Sequence, residues 1–490
     1  MKANYKSHFI AFTCVALCML IMVTVPALAS STEATEIETK AFINKLKTHY
    51  KKTRKIEKFS LSHHYLNRQY HSHDYWDYQI PNRIMAQRTV ELDLVNQHFY
   101  DNDVYYTSGG LLLDKAHFEN DTGSFAFELN GSYLGKRIID QGKGQFFRMD
   151  YVRLNIDFLA VRPLLAEGNI GKNISLHQDH KSGTSTITHH TDDDNIVTYK
   201  FSNTPLRLTS LDDKSKQAIL TYENYQITNG LTYARTVHQY FDGAAEPYYS
   251  IYNDHFEVID QVEPSKLKIP AGYGPVIPKA DGVLVAKAIA KDLYLVTDSS
   301  AWRNSLFKVN GDEIMVFGAS GYKALAEKTI ELIDEQFPNK KISSVYVTHP
   351  HGYEIDGLDV YANQGIEILA DAYSIDAIKA YPKFADNITN FKFRTISHDQ
   401  IIDGAHFYVL ENMHSKRQSF VHFEDSQIIF QSKFLDIAFD NTIAKVIPNY
   451  TKTFVNFIRS KQLKFKRIVG NFKNNDISVE VMNKTYDAIL

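Results

Sequence analysis

The chain has 490 residues, 44% of them hydrophobic and 23% charged, with a formal net charge of -3. That length exceeds one ordinary core and predicts two domains in a chain of globular composition. The slightly acidic balance, with no basic arm or Lys/Arg cluster, argues against nucleic acid as a partner.

In chain order, Lys2 and Lys6 precede an apolar run from Phe9 to Val25, and Pro26-Ala27-Leu28-Ala29 offers small residues ahead of Ser30. This is the pattern of a secretory signal peptide over residues 1–29, so the expected location is periplasmic or secreted. Cleavage there leaves 52 basic side chains against 57 acidic ones, a net charge of -5. Both cysteines, Cys14 and Cys18, lie in this segment, and Cys18 follows Leu17 rather than the small residue of a lipoprotein signal. The mature chain then has no thiol, which suits an oxidising compartment. Membrane contact is expected only if the segment stays uncleaved as a short anchor.

Residues 30–57 read as a charged, partly helical lead-in. From 58 to 274 short runs alternate apolar with polar, as in Arg88–Leu94, Phe125–Leu129 and Ile196–Phe201, with turn-like clusters between them. Period-two alternation predicts an antiparallel β-domain with one wet face, and the chain's 30 Tyr and 30 Phe suit such a surface. The Pro/Gly stretch from Pro270 to Pro278 marks the domain boundary. Over 275–490 strands alternate with helices: strands at Leu293–Val296, Ser305–Val309, Ile314–Phe317, Ser344–Val347 and Ile366–Ala370. An amphipathic helix is predicted over Tyr322–Phe337, from apolar residues at helical spacing.

The most informative stretch runs from Val345 to Leu358. A β-branched run ends in Thr348-His349-Pro350-His351, followed by Gly352-Tyr353-Glu354-Ile355-Asp356-Gly357-Leu358. Paired histidines at the mouth of a strand can share one cation, and a catalytic zinc takes three protein ligands and a water. Some tens of residues later His414 precedes two short strands with Glu424-Asp425-Ser426 at their turn.

These residues resemble the zinc loop of the metallo-β-lactamase superfamily, usually written T-H-x-H-x-D-H-x-G-G-L. The resemblance covers about 283–490 and implies an α+β chain whose C-terminal part is an αββα sandwich, preceded by an antiparallel half-barrel-like domain. It implies a metal site made of His349, His351 and His414. At the second-metal positions stand Tyr353, Glu354, Lys433 and Asn471, and an ammonium at the bridging position opposes a second dication. The implied cofactor is therefore a single zinc ion, with iron as the alternative that imidazole also accepts. On this reading Glu354 acts as general base, Lys433 orients an anionic or carbonyl oxygen, and Tyr353 and Asn471 line the pocket.

The front domain is similar to the half-barrels of periplasmic lipoprotein carriers, whose concavity would suit an apolar ligand; a filled, structural core is the alternative. Three further histidine clusters, His71-Ser72-His73, His63-His64 and His189-His190, read as strand histidines rather than ligands, and Asp192-Asp193-Asp194 as a solvated turn. The expected function is a mono-zinc hydrolase acting on a small molecule. The alternative is a catalytically silent binding or assembly module.

Overall fold

A computed structural model of the chain describes residues 32–68, 75–142, 152–166, 173–241 and 243–488. Among the described residues the front region is one antiparallel sheet of fourteen strands. Two meanders, over 58–140 and 174–258, are joined edge to edge where Tyr249–Val258 pairs with Lys58–Arg68. Side chains alternate in and out along Lys58–Arg68, so Phe59, Leu61 and Tyr65 are buried and their neighbours are not. The lead-in belongs to this body. Thr32–Glu33 pairs with Ile174–Asp179, and the helix Glu36–His49, held by a Thr35 capping box, sends Phe42, Ile43 and Leu46 into the core. The short helices Asp157–Ala160 and Arg162–Leu165 fill the same core against Leu208, Leu220 and Val237.

Beyond Val285 the chain builds four layers. A seven-stranded sheet begins antiparallel over Val285–Phe317 and continues in parallel through Lys341–Tyr346, Glu367–Asp371 and Lys392–Ile396. The helix predicted over Tyr322–Phe337 spans Lys323–Gln336 and lays Ala326, Ile330 and Ile333 on the outer face of that sheet. A five-stranded sheet, Gln400 to Gly470, faces its inner side, and Leu306, Phe317 and Tyr346 meet Phe407, Val421 and Phe430 between the two. Helices Asn449–Ser460 and Val479–Asp487 cover the far side through Phe454, Val455, Ile458 and Met482. The result is an αββα sandwich.

The decoy clusters fall where strand geometry puts them. His63 points inward, where burial pushes its pKa down to about 3, while His64 faces outward and bonds Asp254. His189 is buried and His190 exposed, and Asp192–Asp194 lie in a tight turn closed by Thr191 and Asn195. His71 and His73, and the 1–29 segment, lie outside the described residues. No helix among the described residues is long and apolar enough to cross a membrane.

Candidate metal centre

The parallel strand Lys341–Tyr346 is buried at its carboxyl end, and the chain leaves the sheet there to deliver Thr348, His349 and His351. This is the end at which parallel sheets present ligands. His414 arrives from the other sheet, on the loop joining Ala405–Leu410 to Gln418–Phe423. Asn412 shapes that loop: its Oδ1 accepts from the backbone N–H of His414 at 2.7 Å and of Ser415 at 3.2 Å. All three imidazoles are buried, and one ring nitrogen of each lies within 4.8 Å of the others. Among the described residues this is the only such gathering of His, Cys, Asp or Glu.

Partners on the far side of two rings set which nitrogens face inward. His351 Nε2 lies 3.3 Å from the backbone carbonyl of Tyr75. A carbonyl only accepts, so Nε2 carries the proton and Nδ1 presents its lone pair to the centre. His349 Nδ1 is 2.9 Å from Thr348 Oγ1, leaving Nε2 facing inward. Burial above all, then the neighbouring His351, His414, Lys433 and Arg303, drives the His349 pKa well below its ordinary value, so the ring is neutral and ligand-competent.

Tyr353 stands at the hub. Its hydroxyl lies 3.2 Å from His349 Nε2, 2.8 Å from His351 Nδ1 and 2.9 Å from His414 Nε2. The residue sits in the short helix Gly352–Ile355, and its backbone carbonyl accepts from Arg303 Nη2 at 2.5 Å. Gly321 makes that approach possible, because a Cβ there would lie 2.3 Å from the Tyr353 carbonyl oxygen.

The remaining expected residues separate. Lys433 does line the cavity beside His351, Tyr353 and His414, with its ammonium 3.3 Å from Asp436 and 4.4 Å over the Phe472 ring. Glu354 does not. Its carboxylate is buried behind the histidines, accepts from Ser432 Oγ at 2.7 Å and lies 3.8 Å from Arg303. Burial raises its pKa, against the lowering pull of Arg303, Ser432 and Lys433, and burial lowers that of Arg303. Both shifts carry the same message: desolvation outweighs the attraction of the pair. Glu354 is thus a buried brace, placed away from the reacting side where the sequence reading put it. Asn471 is likewise corrected from pocket lining to peg. It accepts from Arg303 Nη1 at 2.9 Å and donates to the carbonyls of Asn304 and Gly318 at 2.8 and 3.0 Å.

A cavity of about 430 Å³ opens from the histidines towards the front sheet, which supplies Tyr65, Arg88, Asp103, Tyr105, Tyr133 and Tyr249 to its wall. Tyr65, Arg88, Asp103, Tyr133 and Tyr249 also line a second cavity of about 550 Å³ reaching further into that sheet. The concavity read as suited to an apolar ligand is lined here by Asp101, Lys115 and His117 as well as aromatic rings. Sequence reasoning missed Arg303, Tyr75 and this wall. Nothing in their spacing links them to the His-x-His stretch.

Fold and site together define a class: an αββα two-sheet protein with a buried three-histidine, candidate single-metal centre roofed by a β-domain. No family model matches the chain, and no curated protein matches it. Solved structures similar to part of it include TMB-1, described in a study of substrate and inhibitor binding. That structure is 13% identical, covering 42% of this chain and 96% of its own, with a TM-score of 0.31. Another is a metallo-β-lactamase from Hirschia baltica, 12% identical over 42% of this chain and 97% of its own, with a TM-score of 0.34.

Proposed function

We propose that the chain is an exported, metallo-β-lactamase-like hydrolase that holds one metal ion, zinc or iron, on His349, His351 and His414. The observation carrying this reading is the convergence of three buried imidazole nitrogens within 4.8 Å at the end of a cavity large enough for a small molecule. When bound, such an ion supplies Lewis acidity and a nucleophile at neutral pH. The chain's own groups do the rest. Tyr75 and Thr348 hold two of the rings in register, and Lys433 offers an ammonium to an anionic or carbonyl oxygen of the substrate. The front sheet forms the facing wall of the cavity, where Arg88 and Asp103, 2.6 Å apart, give it a polar face.

The test is metal content of the chain from Ser30 to Leu490, purified without a polyhistidine tag. About one zinc or iron per chain is expected, lost in a His349→Ala/His351→Ala double variant, with hydrolysis found among esters, lactams or phosphoesters. A protein that takes up no zinc and no iron from excess would overturn the reading. One observation favours the second reading, a catalytically silent binding module: the hydroxyl of Tyr353 lies within hydrogen-bond distance of a nitrogen of each of the three rings. In that case His351→Ala lowers stability, through the lost buried contacts with Tyr353 and Tyr75, and changes no metal-dependent property.

A further inference from the structure

We infer that the phenol oxygen of Tyr353 is the fourth ligand of the metal held by His349, His351 and His414, so that the resting site is closed by the chain itself. The inference rests on the single-metal reading above and deepens it. Bonds of about 2.0–2.1 Å place the vertices of a tetrahedral zinc site about 3.3 Å apart. The phenol oxygen is 3.2, 2.8 and 2.9 Å from the three inward nitrogens, within half an ångström of that edge at every one. The nitrogens, within 4.8 Å of one another, have to draw together by up to about 1.5 Å to complete the figure. The two ring nitrogens already engaged by Thr348 and Tyr75 are the outward ones, so the phenol meets the very atoms left for a metal.

The ring is positioned rather than swept in by chance. It packs edge-on against His349, His351 and Phe472 at 5.7, 5.4 and 5.7 Å between centroids. Lys433 Nζ lies 5.8 Å from the ring centroid. The backbone is clamped by Arg303, and Gly321 leaves it room. Three neutral imidazoles contribute no charge, so a phenolate supplies the one anion of the set, its proton passing to bulk water as the metal–oxygen bond forms. A substrate then reaches the metal by displacing Tyr353 or by adding as a fifth ligand.

The experiment loads the full mature chain with Cu(II), which binds imidazole sites tightly and reports phenolate ligation by a visible charge-transfer band. The expected result is one copper per chain, a phenolate-to-copper band, and tyrosinate ring modes in the resonance Raman spectrum excited within it. Tyr353→Phe should keep the copper, lose band and ring modes, and bind zinc about 10-fold or more weakly. The Raman measurement on the unaltered chain decides the matter even if the variant does not fold. One copper per chain without these signatures overturns the fourth ligand and leaves the three-histidine site standing. No copper bound at all overturns the metal reading itself.

Discussion

At the scale of single residues, burial decides what a carboxylate near the histidines can do. Glu354 is 2% exposed, and its Oε1 is engaged by Ser432 at 2.7 Å and lies 3.8 Å from Arg303. A general base has to reach its proton, so Glu354→Gln is expected to leave metal stoichiometry and any hydrolytic rate within a few-fold of wild type. It should instead cost about 3 kcal/mol of stability, because Arg303 keeps its charge in a buried site with its partner gone. Chemical denaturation measures the second effect, and a rate loss of several hundred-fold at unchanged stability would restore the catalytic role. In sequence a glutamate three residues after His351 reads the same whether it faces a cavity or a brace. What distinguishes them is Arg303, far away in the sequence. A second buried acid sets a pH dependence. Burial pushes the pKa of Asp157 up to about 6, against the hydrogen bond from the Ala234 backbone. The folded state therefore keeps a proton that the unfolded chain, with its pKa near 3.8, has released. Stability from this group is full below about pH 4 and lost as pH rises through about 6, a change of about 3 kcal/mol. Asp157→Asn should abolish that slope, read as melting temperature against pH for the two proteins side by side.

At the scale of elements, the histidine loops are steadied by a segment from the other end of the chain. Residues 75–78 tie down the 412–416 loop: Trp76 Nε1 donates to the Asn412 carbonyl at 2.7 Å, Lys416 N donates to the Trp76 carbonyl at 2.8 Å, and Lys416 Nζ pairs with Asp77 at 2.8 Å. The backbone N–H of Tyr78 donates to Tyr373 Oη at 2.9 Å, on the helix Ala372–Lys379. Supports of this kind orient ligands without touching the metal, and losing one typically weakens metal binding by about 10-fold or more. Trp76→Phe keeps the ring and removes the donor, so metal affinity should fall by about that factor while melting without metal stays near wild type. An unchanged affinity would show that the loop is held without the indole donor. Strand and helix were legible where one face is buried, since apolar residues then repeat at two or at 3.6; Lys323–Gln336 and Ile196–Asn203 are of this kind. The joining of two meanders into fourteen strands was not, because edge pairing between Tyr249–Val258 and Lys58–Arg68 leaves no local mark. The site followed the same division. The three histidines carry a spacing that metal chemistry explains, while Tyr353 and the 75–78 ties depend on contacts that only folding makes.

At the scale of the whole molecule, the question is whether β-domain and sandwich unfold together. The surface between them is built like a core as well as a docking face. Lys473, buried, pairs with Asp436 and donates to the Ser132 carbonyl at 3.1 Å. Asn130 bonds the backbone of Lys445 and Val446 at 3.0 and 2.9 Å, and Lys136 N donates to Asp440 at 2.8 Å. Separating the two bodies would expose the Lys473–Asp436 pair and strip backbone groups of partners, costs that neither body alone recovers. The chain carries only two tryptophans, and both report this surface: Trp76 on Asn412, and Trp302 edge-on to Tyr133 at 5.2 Å. Tryptophan emission thus follows the interface while far-UV circular dichroism follows all the strands and helices. Coincident urea transitions by the two probes are expected, the signature of one cooperative unit despite the length of the chain. An emission change complete before the dichroism falls would mean that the bodies part first. The roof would then lift from the histidines while both folds survive, and access to the site would be set by domain opening instead of by the cavity wall.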